Sequence, residues 1–211
     1  MFDSLETLWG ASVIATDGKI GSLDDFLFDD RSWAVRYIVV NVGSWLSHHD
    51  VLVDAAALGL PDWKRKVFTV NLSQEQVRQS PDASTKRPVS RQQQAAMNEF
   101  YELPRHWRTG ANPEMFMGTP AAGREFPVPA DEDPHLRSAG AVCGYEVRDD
   151  GERIGTLEDY FADEHSWHIG YLDVKAGDWL HGRSLMIPTR WVKGISWGRH
   201  RVSLQHSHQP L

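Results

Sequence analysis

The chain has 211 residues, a formal net charge of −7 and a single cysteine, Cys143. That length leaves room for two small domains, and a lone cysteine excludes an internal disulfide. No third of the chain is basic, which excludes the electrostatic footprint of a nucleic-acid binder. The opening MFDSLETLWGAS carries acids where a secretion signal needs positive charge, and apolar runs are only a few residues long. A cytoplasmic protein in a reducing compartment, with no membrane span, is therefore expected.

In chain order, the turn Asp17-Gly18-Lys19 opens a predicted strand over residues 20–28. The acidic turn Asp29-Asp30-Arg31-Ser32 follows, and then a long strand over residues 33–42. Ile38, Val40 and Val42 lie on its apolar face and are expected to point into a barrel, with Val35, Tyr37 and Val39 opposite. After Gly43 the chain turns through Trp45-Leu46, and short strands are predicted at 51–53 and 66–71. Ser73 with Gln76 spells a capping box for a short helix through Gln79, stopped by Ser80-Pro81. Ser90 is expected to cap a second helix over 91–102, with Ala96, Phe100 and Leu103 along one side and Pro104 ending it. Residues 110–134, rich in Gly, Pro and Ala, show no periodicity and read as a linker. So long a linker is unusual in a compact domain, so its Met115, Phe116, Met117, Phe126 and Val128 are expected to dock on a barrel.

The chain then repeats itself. GSLDDFLFDDRSWAVRYIVVNVGSWL, from Gly21, aligns without a gap with GTLEDYFADEHSWHIGYLDVKAGDWL, from Gly155, at a constant offset of 134. Gly21, Leu23, Asp25, Asp29, Ser32, Trp33, Tyr37, Val40, Gly43, Trp45 and Leu46 recur identically. A repeat decides architecture before any single residue does. The second copy predicts strands at 154–162, 167–176, 185–187 and 201–205, after a turn at Asp149-Asp150-Gly151-Glu152. On its inner face stand Leu172, Val174 and Ala176. On its outer face Ile169, Tyr171 and Asp173 replace Val35, Tyr37 and Val39, so this face should be covered in the first copy and wetter in the second.

Many short strands between Gly and Asp turns predict a mainly β fold: two small antiparallel barrels in tandem, each closed to remove exposed sheet edges. The expected boundaries are 1–72 for the first barrel, 73–109 for a helical insert, 110–134 for the linker and 135–211 for the second barrel. Six of the nine tryptophans form equivalent pairs, Trp33 with Trp167, Trp45 with Trp179 and Trp63 with Trp197. They read as core anchors of domains too small for a large core.

With DGKIGSLDDFLFDDRSWAVRYIVVNVGSWL and VLVDAAAL in view, and then GERIGTLEDYFADEHSWHIGYLDVKAGDWLHGRSLMIP with Trp191 and Trp197, the chain resembles the PRC-barrel proteins. Modules of this family occur in the photosynthetic reaction-centre H subunit, in a ribosome-maturation factor and in free-standing bacterial proteins. The resemblance is to the tandem, free-standing group and covers residues 11–107 and 135–205. It implies a binding or assembly module with no catalytic residues to carry across. Ser47-His48-His49 replaces His181-Gly182-Arg183 between the copies, so the loop after the second Trp departs from the repeat.

The residues offer few reactive sets. His48-His49, His165 with His168, and His206 with His208 could each present two imidazoles, but none has the spacing of a structural zinc site. The sets Asp24, Asp25, Asp29, Asp30 and Glu158, Asp159, Asp163, Glu164 lack the spacing of a calcium loop. Cys143 sits on an apolar stretch, where an inert thiol is expected. There is no GxSxG, Walker or dinucleotide-binding pattern. No catalytic, cofactor or metal residue is therefore assigned. The expected function is a non-catalytic adaptor or assembly protein that binds a protein partner or a second copy of itself. The alternatives are a metal- or small-ligand sensor using the histidines and a ribosome- or RNA-associated factor.

Overall fold

The computed structural model describes residues 1–43, 49–80, 83, 135–177 and 183–205. The expected helix over 91–102, the linker and its docking side chains, Trp45, Trp179, His48, His206 and His208 lie outside the described residues. The first half contributes β1 (Phe2–Ser4), β2 (Ser12–Ala15), β3 (Gly18–Asp29), β4 (Val35–Asn41), β5 (Asp50–Asp54) and β6 (Val67–Thr69). The second contributes β7 (Leu136–Ser138), β8 (Glu146–Asp149), β9 (Glu152–Asp163), β10 (Ile169–Ala176), β11 (Arg183–Pro188), β12 (Val192–Ser196) and β13 (Arg201–Leu204).

Two β-barrel-like units result, one in each half. The first sheet runs β5-β4-β3-β2-β6 and the second β11-β10-β9-β8-β13-β12, so the repeat in sequence is a repeat in topology. Two features differ from the expected closed antiparallel barrels. β2 pairs with β6, and β8 with β13, in parallel. Neither ladder closes on itself among the described residues: β5 and β6 end one path, β11 and β12 the other. Among the described residues the first unit continues beyond β6 only as isolated bridges, Leu58 to Val70 and Asp62 to Val67.

Local chemistry explains the elements. The Asp29 carboxylate accepts from the backbone N–H of Arg31 and Ser32 and from the Ser32 hydroxyl, closing the turn between β3 and β4. Asp163 closes the β9–β10 turn with the same set of bonds. Gly21 and Gly155 stand where β3 and β9 cross the next strand. A Cβ at Gly21 would lie 2.0 Å from the Asn41 carbonyl oxygen, and one at Gly155 2.2 Å from that of Lys175. The Ser73–Gln76 capping box forms as expected and starts the helix Gln74–Arg78.

Ile38 and Val40 point into the core, as their spacing predicts, and so do Leu172 and Val174. Val35 and Ile169, expected on the outer face, are in the core as well. Trp33 and Trp167 precede them with φ of 57° and 53°, and the pairing of each strand shifts register at this end. Together these turn the first strand residue inward. The tryptophan expectation holds for Trp33 and Trp167, which are buried, and for Trp63, which packs on the core. Trp197 is 39% exposed, against Tyr145 rather than inside.

Candidate functional site: the seam between the units

The two units share one hydrophobic core, and the contacts that join them obey the same 134-residue offset as the sequence. At the centre Ala34 faces His168 across an isolated antiparallel bridge. Val35 N–H donates to the Trp167 carbonyl at 2.9 Å, and Ile169 N–H donates to the Trp33 carbonyl at 2.8 Å. These two bonds exchange places under a two-fold rotation through the bridge. Both tryptophans, each with left-handed backbone, bury their rings in the core that the units share. Trp167 stacks on Phe68 and Phe26 of the first unit, at 5.1 and 6.2 Å between ring centres. Phe28, stacked on Trp33, meets Tyr160 of the second unit at 5.5 Å.

Each unit also lends the other a strand. β1 precedes the first unit yet pairs with β9, in the register Phe2↔Asp163, Asp3↔Ala162, Ser4↔Phe161. β7 precedes the second unit and pairs with β3, in the register Leu136↔Asp29, Arg137↔Phe28, Ser138↔Leu27. The two arms are thus exchanged in the same register.

A buried carboxylate receives each arm. Asp25 Oδ1 accepts from Gly140 N–H at 3.0 Å and from Phe26 N–H at 2.8 Å, while Oδ2 accepts from the Ser138 hydroxyl. Its counterpart Asp159 accepts from Glu6 N–H at 3.0 Å, from the Ser4 hydroxyl and from Tyr160 N–H. Burial pushes both carboxyls above the usual aspartate range, against the pull of these hydrogen bonds. The neighbouring Cys143 thiol is pushed up to about 12, first by burial and then by the charges of Asp159 and Asp25. It donates to the Glu158 carbonyl and stays a thiol at neutral pH. The Tyr160 hydroxyl, fully buried and also raised by burial, donates to Ala139 O at 3.1 Å. Two acids, a thiol and a phenol therefore converge on the seam, each held by seam atoms. That arrangement locks the arms in place.

The remaining sequence candidates fall where local structure uses them. Asp30 takes His135 Nδ1 at 2.9 Å and Arg137 Nε at 2.7 Å, and so fixes the second arm. Asp163 and Glu164 face the N-terminal ammonium at 3.1 and 3.9 Å. Glu158 pairs with Lys175. His168 sits exposed at the bridge, and His165 lies 3.8 Å from Glu164. Among the described residues no group of three or more His, Cys, Asp or Glu side chains is placed to hold a metal ion. No described helix is long and apolar enough to cross a membrane. Sequence reasoning missed the seam because the arms are three residues long. Its one trace was the identical Trp after each Asp-x-x-Ser turn.

The outer faces of the two sheets differ as the Val39/Asp173 exchange predicts. On the first unit Leu27, Tyr37, Val39, Leu52 and Leu136 form a second apolar cluster, each at most 4% exposed, with Ala83 against it. Ala83 N–H donates to the Asp50 carbonyl at the β5 edge, at 2.8 Å. The equivalent positions on the second unit are Phe161, Tyr171, Asp173, Met186 and Phe2. The first three are half-buried, while Met186 is 46% and Phe2 44% exposed. Phe2 lies edge-on to Tyr171 at 5.3 Å, over Gly170, whose missing Cβ leaves room for its ring. The Ser184 hydroxyl donates to Asp173 in the middle of this face.

Comparison with known proteins agrees with the fold. Residues 2–76 match the PRC-barrel domain family, a match that spans the first unit. No curated protein matches the chain.

Proposed function

We propose that this chain is a non-catalytic assembly protein that holds a protein partner on the outer face of its second unit. The observation that carries this reading is the difference between two equivalent faces. On the first unit the face is apolar and covered; on the second it keeps Phe2, Tyr171 and Met186 around an acidic centre, Asp173, with Phe2 and Met186 exposed. Among the described residues, Asp25, Asp159, Cys143 and Tyr160 are engaged at the seam, which supports a binding role. The match of the first unit to the PRC-barrel domain supports a barrel used as a module. The partner that fits is a protein segment with aliphatic side chains flanking one Lys or Arg, which would pair with Asp173 while the apolar ring is buried.

Selection of random displayed peptides on the immobilised full chain tests this. Enrichment of aliphatic sequences with one central basic residue, abolished by Met186→Asp in a chain of unchanged circular dichroism, is expected. Absence of enrichment, or enrichment indifferent to Met186→Asp and Asp173→Asn, would sink the reading.

A further inference from the structure

The fold presents the same sheet edge twice, once covered and once exposed. β5 and β11 end their sheet paths at equivalent places, since the register Val174↔Leu185 repeats Val40↔Val51 at the offset of 134. On the first unit Ala83 closes on this edge. Its N–H donates to the Asp50 carbonyl at 2.8 Å, and its side chain packs against the outer apolar cluster. Val51, Leu52 and Val53 of β5 are at most 1% exposed. On the second unit Arg183, Ser184, Leu185 and Met186 are all exposed, and among the described residues β11 pairs with β10 alone.

Alternation along an antiparallel pair fixes which main-chain groups face outward. Val42 N–H donates to the His49 carbonyl, so Asn41 and Asp50 form the next, non-hydrogen-bonded pair, and the Asp50 carbonyl turns outward to Ala83. In the same register Ser184 and Met186 turn both N–H and C=O away from β10. Pro188, which has no N–H, ends the row. The side chains of Ser184 and Met186 share the outer face with Asp173, and the Ser184 hydroxyl bonds that carboxylate, which therefore lies toward the edge. Lys175, two residues along β10, already pairs with Glu158 at 3.2 Å.

Resting on the outer-face reading above, we propose that the partner joins the second unit as an added strand. An extended protein segment pairs its main chain with Ser184 and Met186, while its alternate side chains lie over Met186 and Tyr171 and a basic one meets Asp173. This mode sets the sequence of the partner. Aliphatic and basic residues must stand two apart, as aliphatic-x-basic-x-aliphatic, because only alternate side chains share a face of a strand. A partner bound as a helix would space them three and four apart.

The test uses the full chain and the peptide Ac-Val-Thr-Lys-Thr-Val-amide, read by amide hydrogen exchange in NMR. In the free protein the Ser184 and Met186 amides are expected to exchange fast, with Leu185, which faces β10, as the slow reference. Bound peptide should slow the first two. Two further probes carry an N-methyl group on the second or on the third residue of the peptide. A strand offers alternate N–H groups to one neighbour, so one of these should bind roughly tenfold or more weakly than the parent and the other like it. Binding that is lost in Met186→Asp yet treats both N-methyl forms alike would keep the outer face and overturn the added strand. Slow exchange of Ser184 and Met186 in the free protein would overturn it too, since the chain itself would then close the edge. So would the absence of binding at millimolar peptide, while the displayed-peptide selection still reports on the outer face by itself.

Discussion

The hydroxyl of Ser138, on the strand that leads into the second unit, donates to the carboxylate of Asp25 in the first. The same hydroxyl accepts from Ala141 N–H at 2.9 Å and so caps the turn of helix that follows. One side chain thus ties the arm to the opposite unit and starts the next element.

Ser138→Ala removes both bonds and leaves a buried carboxylate with one donor fewer. A loss of about 2–4 kcal/mol is expected, from the under-satisfied carboxylate and the lost cap together. Urea unfolding monitored by circular dichroism measures it. A loss below about 0.5 kcal/mol would mean that the Asp25 contact contributes nothing to the seam.

The raised carboxyls of Asp25 and Asp159 fix the sign of a pH effect. Both bind protons more tightly folded than unfolded, so their contribution is greatest at acid pH and fades as pH rises from the ordinary aspartate value through their raised ones. Asp163 is held below its ordinary value by the N–H and hydroxyl of Ser166 and by the N-terminal ammonium, so its contribution runs the opposite way and is lost as pH falls. Comparing urea midpoints across pH for the wild type and for Asp25→Asn isolates the first effect. Asp25→Asn should flatten the decline in stability above the ordinary aspartate pKa. An unchanged pH slope would show that Asp25 is not raised.

With its pKa pushed up to about 12 from 9.0, Cys143 carries roughly a thousandfold less thiolate at neutral pH than an ordinary cysteine. Alkylation by iodoacetamide in the folded protein should be slower by a comparable factor and become ordinary in urea. Rapid labelling of the native protein would contradict the burial and the acidic surroundings argued for this thiol.

Gly21 and Gly194 should respond differently to the same change. Gly21→Ala drives a Cβ into the Asn41 backbone and is expected to cost about 1–3 kcal/mol or more. Gly194→Ala, with nothing within 4 Å of its Cβ, should stay within about 0.5 kcal/mol of the wild type. Thermal or urea melts of the pair decide; equal effects would remove the close crossing of β3 and β4 as the reason for Gly21.

Trp167→Ala empties a space lined by Phe26 and Phe68, rings that belong to the other unit. An expected loss of about 3–5 kcal/mol should appear as one cooperative transition at lower denaturant, since the core is shared. Two separate transitions in the wild type would instead mean that the units fold alone.

Much of each unit was legible in its own residues. The turn chemistry of Asp29 and Asp163, the capping box at Ser73 and the inward face of Ile38 and Val40 are local, and local patterns carry them. The exchange of Val39 for Asp173 also foretold which outer face is covered. What joins the units was not legible, because Phe2 pairs with Asp163 and Ser138 with Asp25 across more than a hundred residues of chain. A three-residue strand has no period to recognise, and the parallel pairing of β2 with β6 leaves no mark in composition. The left-handed backbone at Trp33 and Trp167 was hidden too, since nothing about Trp favours that conformation. It is imposed by the turn before it and the core ahead of it.

The reciprocal arms also set an order of events at the ribosome. When the first unit has emerged, Phe26 and Phe68 have no Trp167 to close them, and β1 has no β9 to pair with. At roughly 5–20 residues per second the missing elements arrive several seconds to tens of seconds later. Through that interval the nascent chain carries an uncovered aromatic surface and an unpaired strand next to other nascent copies. This is the moment at which chaperones would engage it, and it makes synthesis, more than the finished fold, the stage at which the chain is most exposed to its neighbours.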